Sequence, residues 1–223
     1  MIQFYLLKKI LSHLLPITLK KYHSSWSGVI EINLSNGRKV VDTATSNYSY
    51  GSLQKILSKG LHQLALPRQE LKNVLVLGMG AGSIVQTIRE ELECDAAIDL
   101  VELDNTMIDI AKNEYQIHKY SNIQIIAADA NQFVFDCKKK YDLIIIDLFI
   151  IDTIPQVFTE KKFIQQVIQL LSDTGAVLFN SMRSTLDRKV FQAMQNVFKE
   201  ANLTVEVLEN VYYSNDLILV KRS

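Results

Sequence analysis

One run constrains this chain more than any other. "NVLVLGMGAGSIVQTI", residues 73 to 88, joins an apolar strand-like stretch to three glycines, Gly78, Gly80 and Gly82, and then to a helical pattern. A strand that turns into a helix through bare backbone opens many nucleotide-binding folds, because a ligand can approach the free amides of the helix start. The competing reading is a tight strand-to-helix turn that holds nothing. A nicotinamide dinucleotide fits poorly: its fingerprint wants a third glycine at residue 83, and that position is Ser83. A dehydrogenase is therefore disfavoured.

From the turn onward the chain alternates strand and helix. Strand-like runs occur in "NVLVLGM", "AAIDLVELD", "NIQIIAAD", "YDLIIIDLF" and "GAVLFNSM". Helical patterns stand between and after them in "SIVQTIREELE", "TMIDIAKNEY", "NQFVFDCK", "KKFIQQVIQLLS" and "DRKVFQAMQNVFKEAN". Such alternation predicts parallel strands, right-handed crossovers and helices on both faces. The apolar run from Leu143 to Ile146 suits a strand buried on both sides. "LTVEVLE" and "DLILVKRS" are separated only by "NVYYSN", too short for a crossover helix, so the last two strands should pair antiparallel. The expected fold is α/β, a doubly wound Rossmann-like sheet with an antiparallel last strand. At 223 residues and 48% hydrophobic content, the chain can bury one such domain with a small appendage, and is too short for two full domains.

The appendage should be amino-terminal. The three prolines, Pro16, Pro67 and Pro155, fall at joints, and they divide the chain into a section over 1–67 and a nucleoside-binding domain over 68–223. Lys8 and Lys9 interrupt "MIQFYLLKKILSHLLP", which cannot supply the roughly 20 apolar residues of a membrane span. It reads as an amphipathic helix docked on the body, on a partner or on a membrane surface, without stable membrane insertion. "GVIEINLSNGRKVVDTA" should form a hairpin about Asn36-Gly37. In "SLQKILSKGLHQLAL", Leu53, Ile56, Leu57, Leu61 and Leu64 recur at helical spacing with Ser52 as the expected cap. Trp26 is expected to pack the hairpin against the larger domain.

Charge and cysteines narrow the function classes. Lysine plus arginine equals aspartate plus glutamate, 24 each, with no long block of one sign, so nucleic acid is not an expected partner. Cys94 and Cys137 stand far apart and no secretory signal precedes the fold, so a reduced cytoplasm is the default compartment. His13, His23, His62 and His118 have no ligand-like spacing, and no metal is expected.

Ligands of open parallel sheets sit beyond the carboxyl ends of the strands, and there the sequence places polar residues. Glu102 ends the second strand of this unit, twenty residues after Gly82, where a carboxylate can accept both hydroxyls of a ribose. A lone glutamate at a strand end can equally be solvated. Asp129 ends the third strand, where it can accept from the exocyclic amine of an adenine, cap the next helix, or do both. Asp147 ends a wholly apolar strand, a setting that makes a carboxylate a useful base or cation binder; its alternative role is to hold a loop.

With these pieces the chain resembles the spermidine synthase family, the polyamine aminopropyltransferases, over about residues 28 to 182. "YSYGSLQ", "VLVLGMGAGS", "VELDNTMIDIAK", "AADANQFV" and "YDLIIIDLF" carry the resemblance. It implies the fold of the class I S-adenosylmethionine-dependent methyltransferases, preceded by a small helix and β-hairpin. It also implies a cofactor site from Gly78, Gly80, Ala81 and Gly82, with Glu102 and Leu103 at the ribose and Asp129 and Ala130 at the adenine. By the same resemblance Asp147 handles the amine being alkylated and Tyr50 lines the amine pocket. Paired subunits are a family habit, compatible here with a homodimer.

Two departures shape the expected reaction. The family's glycine turn usually carries an aspartate that grips the donor's amine, and here that position is Ala81. The family also has a second acid after the fourth strand, and here the stretch reads Asp147-Leu148-Phe149-Ile150, with Asp152 two residues further on. Losing the turn carboxylate removes a charge-assisted hydrogen bond of about 1.5–3 kcal/mol and a like charge that would repel the carboxylate of intact S-adenosylmethionine. The expectation is therefore methyl transfer from S-adenosylmethionine to a small-molecule acceptor, with Asp147, Tyr50 and Asp152 as catalytic residues. The alternatives are aminopropyl transfer from decarboxylated S-adenosylmethionine and a nucleoside-binding partner that catalyses nothing. The segment "LFIIDTIPQVFT" and Tyr48, Tyr50 and Tyr212 or Tyr213 suggest a partly aromatic or aliphatic acceptor.

Overall fold

The computed structural model describes residues 2–43, 47–150, 152–212 and 215–222, with the side chains among them apart from those of residues 2–5, 47 and 48. Helix α1 (Ile2–Leu11) leads into a four-stranded antiparallel sheet of β1 (Ile17–Ser24), β2 (Gly28–Ser35), β3 (Arg38–Thr43) and β4 (Asn47–Ser49), paired in that order. The expected turn is present: Ser35 pairs with Arg38 across Asn36 and Gly37, both with positive φ. Strand β1 was not legible because its pairing with β2 shifts register between Thr18 and Lys20, and the two lysines there break the alternation. The end of α1 is tied to the hairpin turn, where the Ser12 hydroxyl accepts the Gly37 N–H at 2.9 Å and its carbonyl accepts the Asn36 N–H. Leu6, Leu7, Ile10 and Leu11 stay exposed on its outer side. No helix among the described residues is long and apolar enough to cross a membrane.

The second sheet holds seven strands: β5 (Asn73–Leu77), β6 (Ala97–Glu102), β7 (Ile123–Ala127), β8 (Tyr141–Ile146), β9 (Leu171–Met182), β10 (Thr204–Tyr212) and β11 (Asn215–Lys221). Their order is β10-β11-β9-β8-β5-β6-β7. The pairs from β9 to β7 are parallel, while β11 runs antiparallel to β9 and β10 to β11, as the short final connection requires. From β5 the chain moves to β6 and β7 on one side, then returns to β8 on the other. This switch point is where the mouth of an open sheet can hold a ligand.

Both faces are covered. Helix α2 (Ser52–Leu64), α3 (Ser83–Gln86, continued by a π-turn over Thr87–Glu91) and α4 (Asn105–Asn113) bury Ile56, Leu61, Ile84, Ile88 and Ile108 on one face. Helix α5 (Ala130–Asp136), α6 (Lys161–Leu170) and α7 (Arg188–Glu200) bury Val134, Phe163, Val167, Met194 and Phe198 on the other. Asp104, Asp129 and Asp187 cap α4, α5 and α7 by accepting first-turn amides. Ser52 does not cap α2: it is the first helical residue, and Gly51 takes the cap position without a side-chain bond. Helix α2 lies close on the large sheet because Gly60 has no Cβ; one built there would sit 2.6 Å from Leu178 and 2.8 Å from Leu217. A third cluster of Ile30, Ile32, Val41, Met107 and Ile110 joins the small sheet to α4.

Candidate active site

The glycine turn is shaped by its neighbours. Gly78 has φ +85°, and a Cβ there would collide with the carbonyl oxygen of Asp147, so β5 and β8 approach this closely only with glycine. The Gly78 and Met79 amides bond the Val101 carbonyl, and the Asp147 amide bonds that of Leu77. These bonds bring the ends of β5, β6 and β8 around one cavity of about 780 Å³. Gly82, at φ +87°, faces elsewhere: a Cβ there would strike the side chain of Ile117.

Glu102 stands at the end of β6 and is almost fully buried. Its Oε2 accepts the Gly80 N–H and its Oε1 the Asp104 N–H, both at 2.9 Å. Burial pushes its pKa up to about 7, against the opposing pull of the Asp104 and Gly80 amides. Each oxygen keeps a lone pair for a further donor. The buried Asp104 carboxylate accepts the hydroxyls of Ser24 at 2.5 Å and Ser27 at 3.1 Å, which ties the small sheet to the cavity wall. At the end of β7, Asp129 spends Oδ1 on the Gln132 amide at 2.9 Å and lines the cavity as well, so the cap does not exclude a ligand contact.

Asp147 anchors the opposite wall. Its Oδ1 accepts from the Asn180 side-chain amide at 2.9 Å, and Asn180 Oδ1 accepts in turn from Asn215 at 3.0 Å, a relay across β8, β9 and β11. Burial raises the Asp147 pKa to about 6, and the Asn180 bond opposes the rise. Asp152 lines the same side. Its Oδ1 is buried without a hydrogen-bond partner, and its backbone carbonyl is held by the Thr185 hydroxyl at 3.0 Å. A buried carboxylate oxygen without a donor is a costly feature.

Of the residues expected from the sequence, the structure brings Gly78, Gly80, Glu102, Leu103, Asp129, Ala130, Asp147 and Asp152 to this cavity. Three it places elsewhere. Ala81 is fully buried among Ile30, Ile32, Val41, Met107 and Ile110; Gly82 packs on Ile117; and Tyr50 stacks on Tyr115 with ring centroids 3.9 Å apart, outside the cavity lining. Trp26 is another correction: it is 47% exposed at the cavity edge rather than packed between the two sheets. Tyr212 lines the cavity, whereas Tyr213 and the side chain of Tyr48 lie outside the described residues. Sequence reasoning missed Asp104, Asn180 and Asn215. Only Asp104 had a signal, the cap spacing of Asp104 and Thr106 ahead of a helical run.

The lining is electrostatically one-sided. Its charged residues are Glu102, Asp104, Asp129, Asp147 and Asp152, and among the described residues no lysine, arginine or histidine faces them.

Comparison with known proteins gives a consistent picture. A family model described as the spermine/spermidine synthase domain matches residues 57–213. A polyamine aminopropyltransferase of Saccharolobus islandicus is 28% identical over 144 residues, covering 61% of this chain and 47% of that protein. A probable spermidine synthase from Corynebacterium glutamicum superposes with a TM-score of 0.68 at 16% identity, over 92% of this chain and 80% of that one. A spermidine synthase in complex with the transition-state analogue AdoDATO superposes at 0.65 and 18% identity, over 92% and 74%. The chain spans less than half the length of the curated relatives it matches.

These findings overturn the expectation of methyl transfer: the family model and the matching relatives are those of aminopropyltransferases. The physical reason lies at Ala81. The methyl reading took that position to face the donor, but it is buried against the small sheet, so its lack of charge says nothing about the ligand.

Proposed function

Since the chain belongs to the spermine/spermidine synthase family, we propose that it transfers an aminopropyl group from decarboxylated S-adenosylmethionine to an amine. The observation that carries this reading is the cavity whose charged lining, among the described residues, is carboxylate alone. A sulfonium donor without a carboxylate and an amine acceptor both bring positive charge, and both offset the desolvation of these acids.

The residues divide the work. Glu102 has free lone pairs for the ribose hydroxyls, while Asp129 keeps Oδ2 for an adenine amine. The bare backbone at Gly78 and Gly80 leaves room beside them. The donor supplies an activated carbon next to a positively charged sulfur, so the protein needs orientation, desolvation and a proton acceptor rather than a covalent intermediate. Asp147 suits that last role. Its environment already favours a bound proton, and the Asn180–Asn215 relay fixes its orientation. Asp152 lines the same wall and adds a second carboxylate toward an ammonium group, a contact of about 1.5–3 kcal/mol.

The test is release of methylthioadenosine, followed by chromatography, when the protein is given decarboxylated S-adenosylmethionine and an amine. Product should form, and Asp147→Asn should slow it by about 10²–10⁴-fold, the usual range for a general base. If no amine yields methylthioadenosine while intact S-adenosylmethionine is demethylated, the proposal is wrong.

A further inference from the structure

Trp26 is the single tryptophan of the chain and lines the cavity edge with nearly half its surface exposed. Its backbone, by contrast, is pinned. Ser24 pairs with Gly28 across the β1–β2 turn, and Gly28 takes φ +68°, so residues 25 to 27 form a tight three-residue loop. The Ser24 hydroxyl oxygen accepts the N–H groups of Trp26 at 2.9 Å and Ser27 at 3.0 Å, and donates its own hydrogen to Asp104. The Ser27 hydroxyl donates to the same carboxylate oxygen. Asp104 in turn gives its N–H to Glu102, whose other oxygen holds the Gly80 N–H. One unbroken chain of hydrogen bonds therefore runs from the glycine turn through Glu102 and Asp104 to Trp26.

That chain decides which half of the cavity Trp26 borders. It ends on the β6 side, beside Glu102 and Asp104, whereas Asp147 and Asp152 belong to the segment after β8, across β5. A single exposed aromatic residue on an open surface needs no explanation. One held by its backbone at the mouth of a nucleoside site offers a flat π face that loses little freedom when a ligand covers it. Resting on the aminopropyl reading above, we infer that Trp26 is a binding residue for the donor nucleoside, its indole lying against the adenosyl group as the outer wall of that half-site. Ser24, Ser27 and Asp104 are then positioning residues, and the small sheet contributes to donor binding through its first turn as well as to packing.

The test titrates the full chain with methylthioadenosine. Because Trp26 is the only indole, tryptophan emission reports on this position alone. Emission should shift or quench on titration, with the same dissociation constant that calorimetry gives. Trp26→Ala should weaken binding about tenfold, within the range of base–aromatic stacking, while Trp26→Phe keeps a flat ring and should stay within about threefold. The emission arm uses the unaltered chain, so it stands even where a variant folds poorly. Unmoved emission at saturation, or binding by Trp26→Ala within about twofold of the unaltered chain, overturns the inference while leaving the donor site at Glu102 intact. Failure of methylthioadenosine to bind the unaltered chain at all refutes the aminopropyl reading, and this inference with it.

Discussion

Replacing Asp147 by asparagine should stabilise the protein while it removes activity, and the gain should depend on pH. In the folded chain burial raises the Asp147 pKa from 3.8 to about 6. The folded state therefore holds its proton over a range where the unfolded state has lost it, and stability falls as pH rises through that window. Below about pH 3 both states are protonated and the group is neutral in its effect. Above about pH 7 the penalty is complete: about two pKa units at 1.36 kcal/mol each, or about 3 kcal/mol. Asparagine keeps an oxygen that can accept the Asn180 amide, so the variant loses the charge without losing the relay. The expected outcome is a gain of about 3 kcal/mol at pH 8 that shrinks to about 0.5 kcal/mol at pH 4. For a chain of this size that is about 6–12 °C in melting temperature. Urea unfolding of both proteins at several pH values measures it directly. A difference that stays flat from pH 4 to 8, or a variant less stable at pH 8, would refute the claim that desolvation controls this carboxyl.

Three further outcomes are expected. Glu102→Ala should weaken methylthioadenosine binding by about 10–100-fold, the value of lost hydrogen bonds to a charged acceptor, while free adenine binds as before; calorimetry with both ligands separates these. Gly82→Ala should cost about 2–4 kcal/mol, from strain at φ +87° and the clash with buried Ile117, and adding Ile117→Val should recover a good part of it in denaturant unfolding. Tyr50→Phe should leave the KM for the amine within about twofold, because the ring stacks on Tyr115 away from the cavity; a tenfold rise would return Tyr50 to the amine pocket.

The parts of the site legible in the sequence share one property: their position follows from topology alone. Once β5, β6, β7 and β8 are read as parallel strands, Glu102, Asp129 and Asp147 must emerge at the same edge of the sheet. The residues misread are those whose environment depends on a distant segment. Ala81 is buried because β2 and β3 dock over the glycine turn, and nothing near residue 81 encodes that docking. Tyr50 finds Tyr115 across 65 positions of sequence. Asn180 and Asn215 sit in apolar strands with no spacing to mark them, and they become a pair only when β11 inserts antiparallel beside β9. The strand-end signal of the carboxylates was local; the amides that hold Asp147 were not.

How this chain treats buried acids elsewhere sharpens the reading of the cavity. Glu114 is pushed up by burial, yet hydrogen bonds from Lys20, Tyr22 and Lys39 bring it down to about 2. Asp216 is gripped by two nitrogens of Arg183 at 2.7 and 3.0 Å, and Asp99 by Lys139 and Tyr141 at 2.8 Å each. At these three sites outside the cavity, then, partly or fully buried carboxylates receive cations. Inside it Glu102 and Asp147 receive only neutral amides and their pKa values move the other way, while Asp152 leaves one oxygen with no donor. The contrast cannot be a matter of composition, since lysine and arginine equal the acids in number. On the aminopropyl reading the countercharge missing from the cavity is the one a cationic ligand brings, so ligand binding should pull the Asp147 pKa back down and release protons between about pH 5 and 7. Calorimetry of amine binding to the nucleoside complex in buffers of different ionisation enthalpy reads that release, and binding without it at pH 6 would mean that the amine sits away from Asp147.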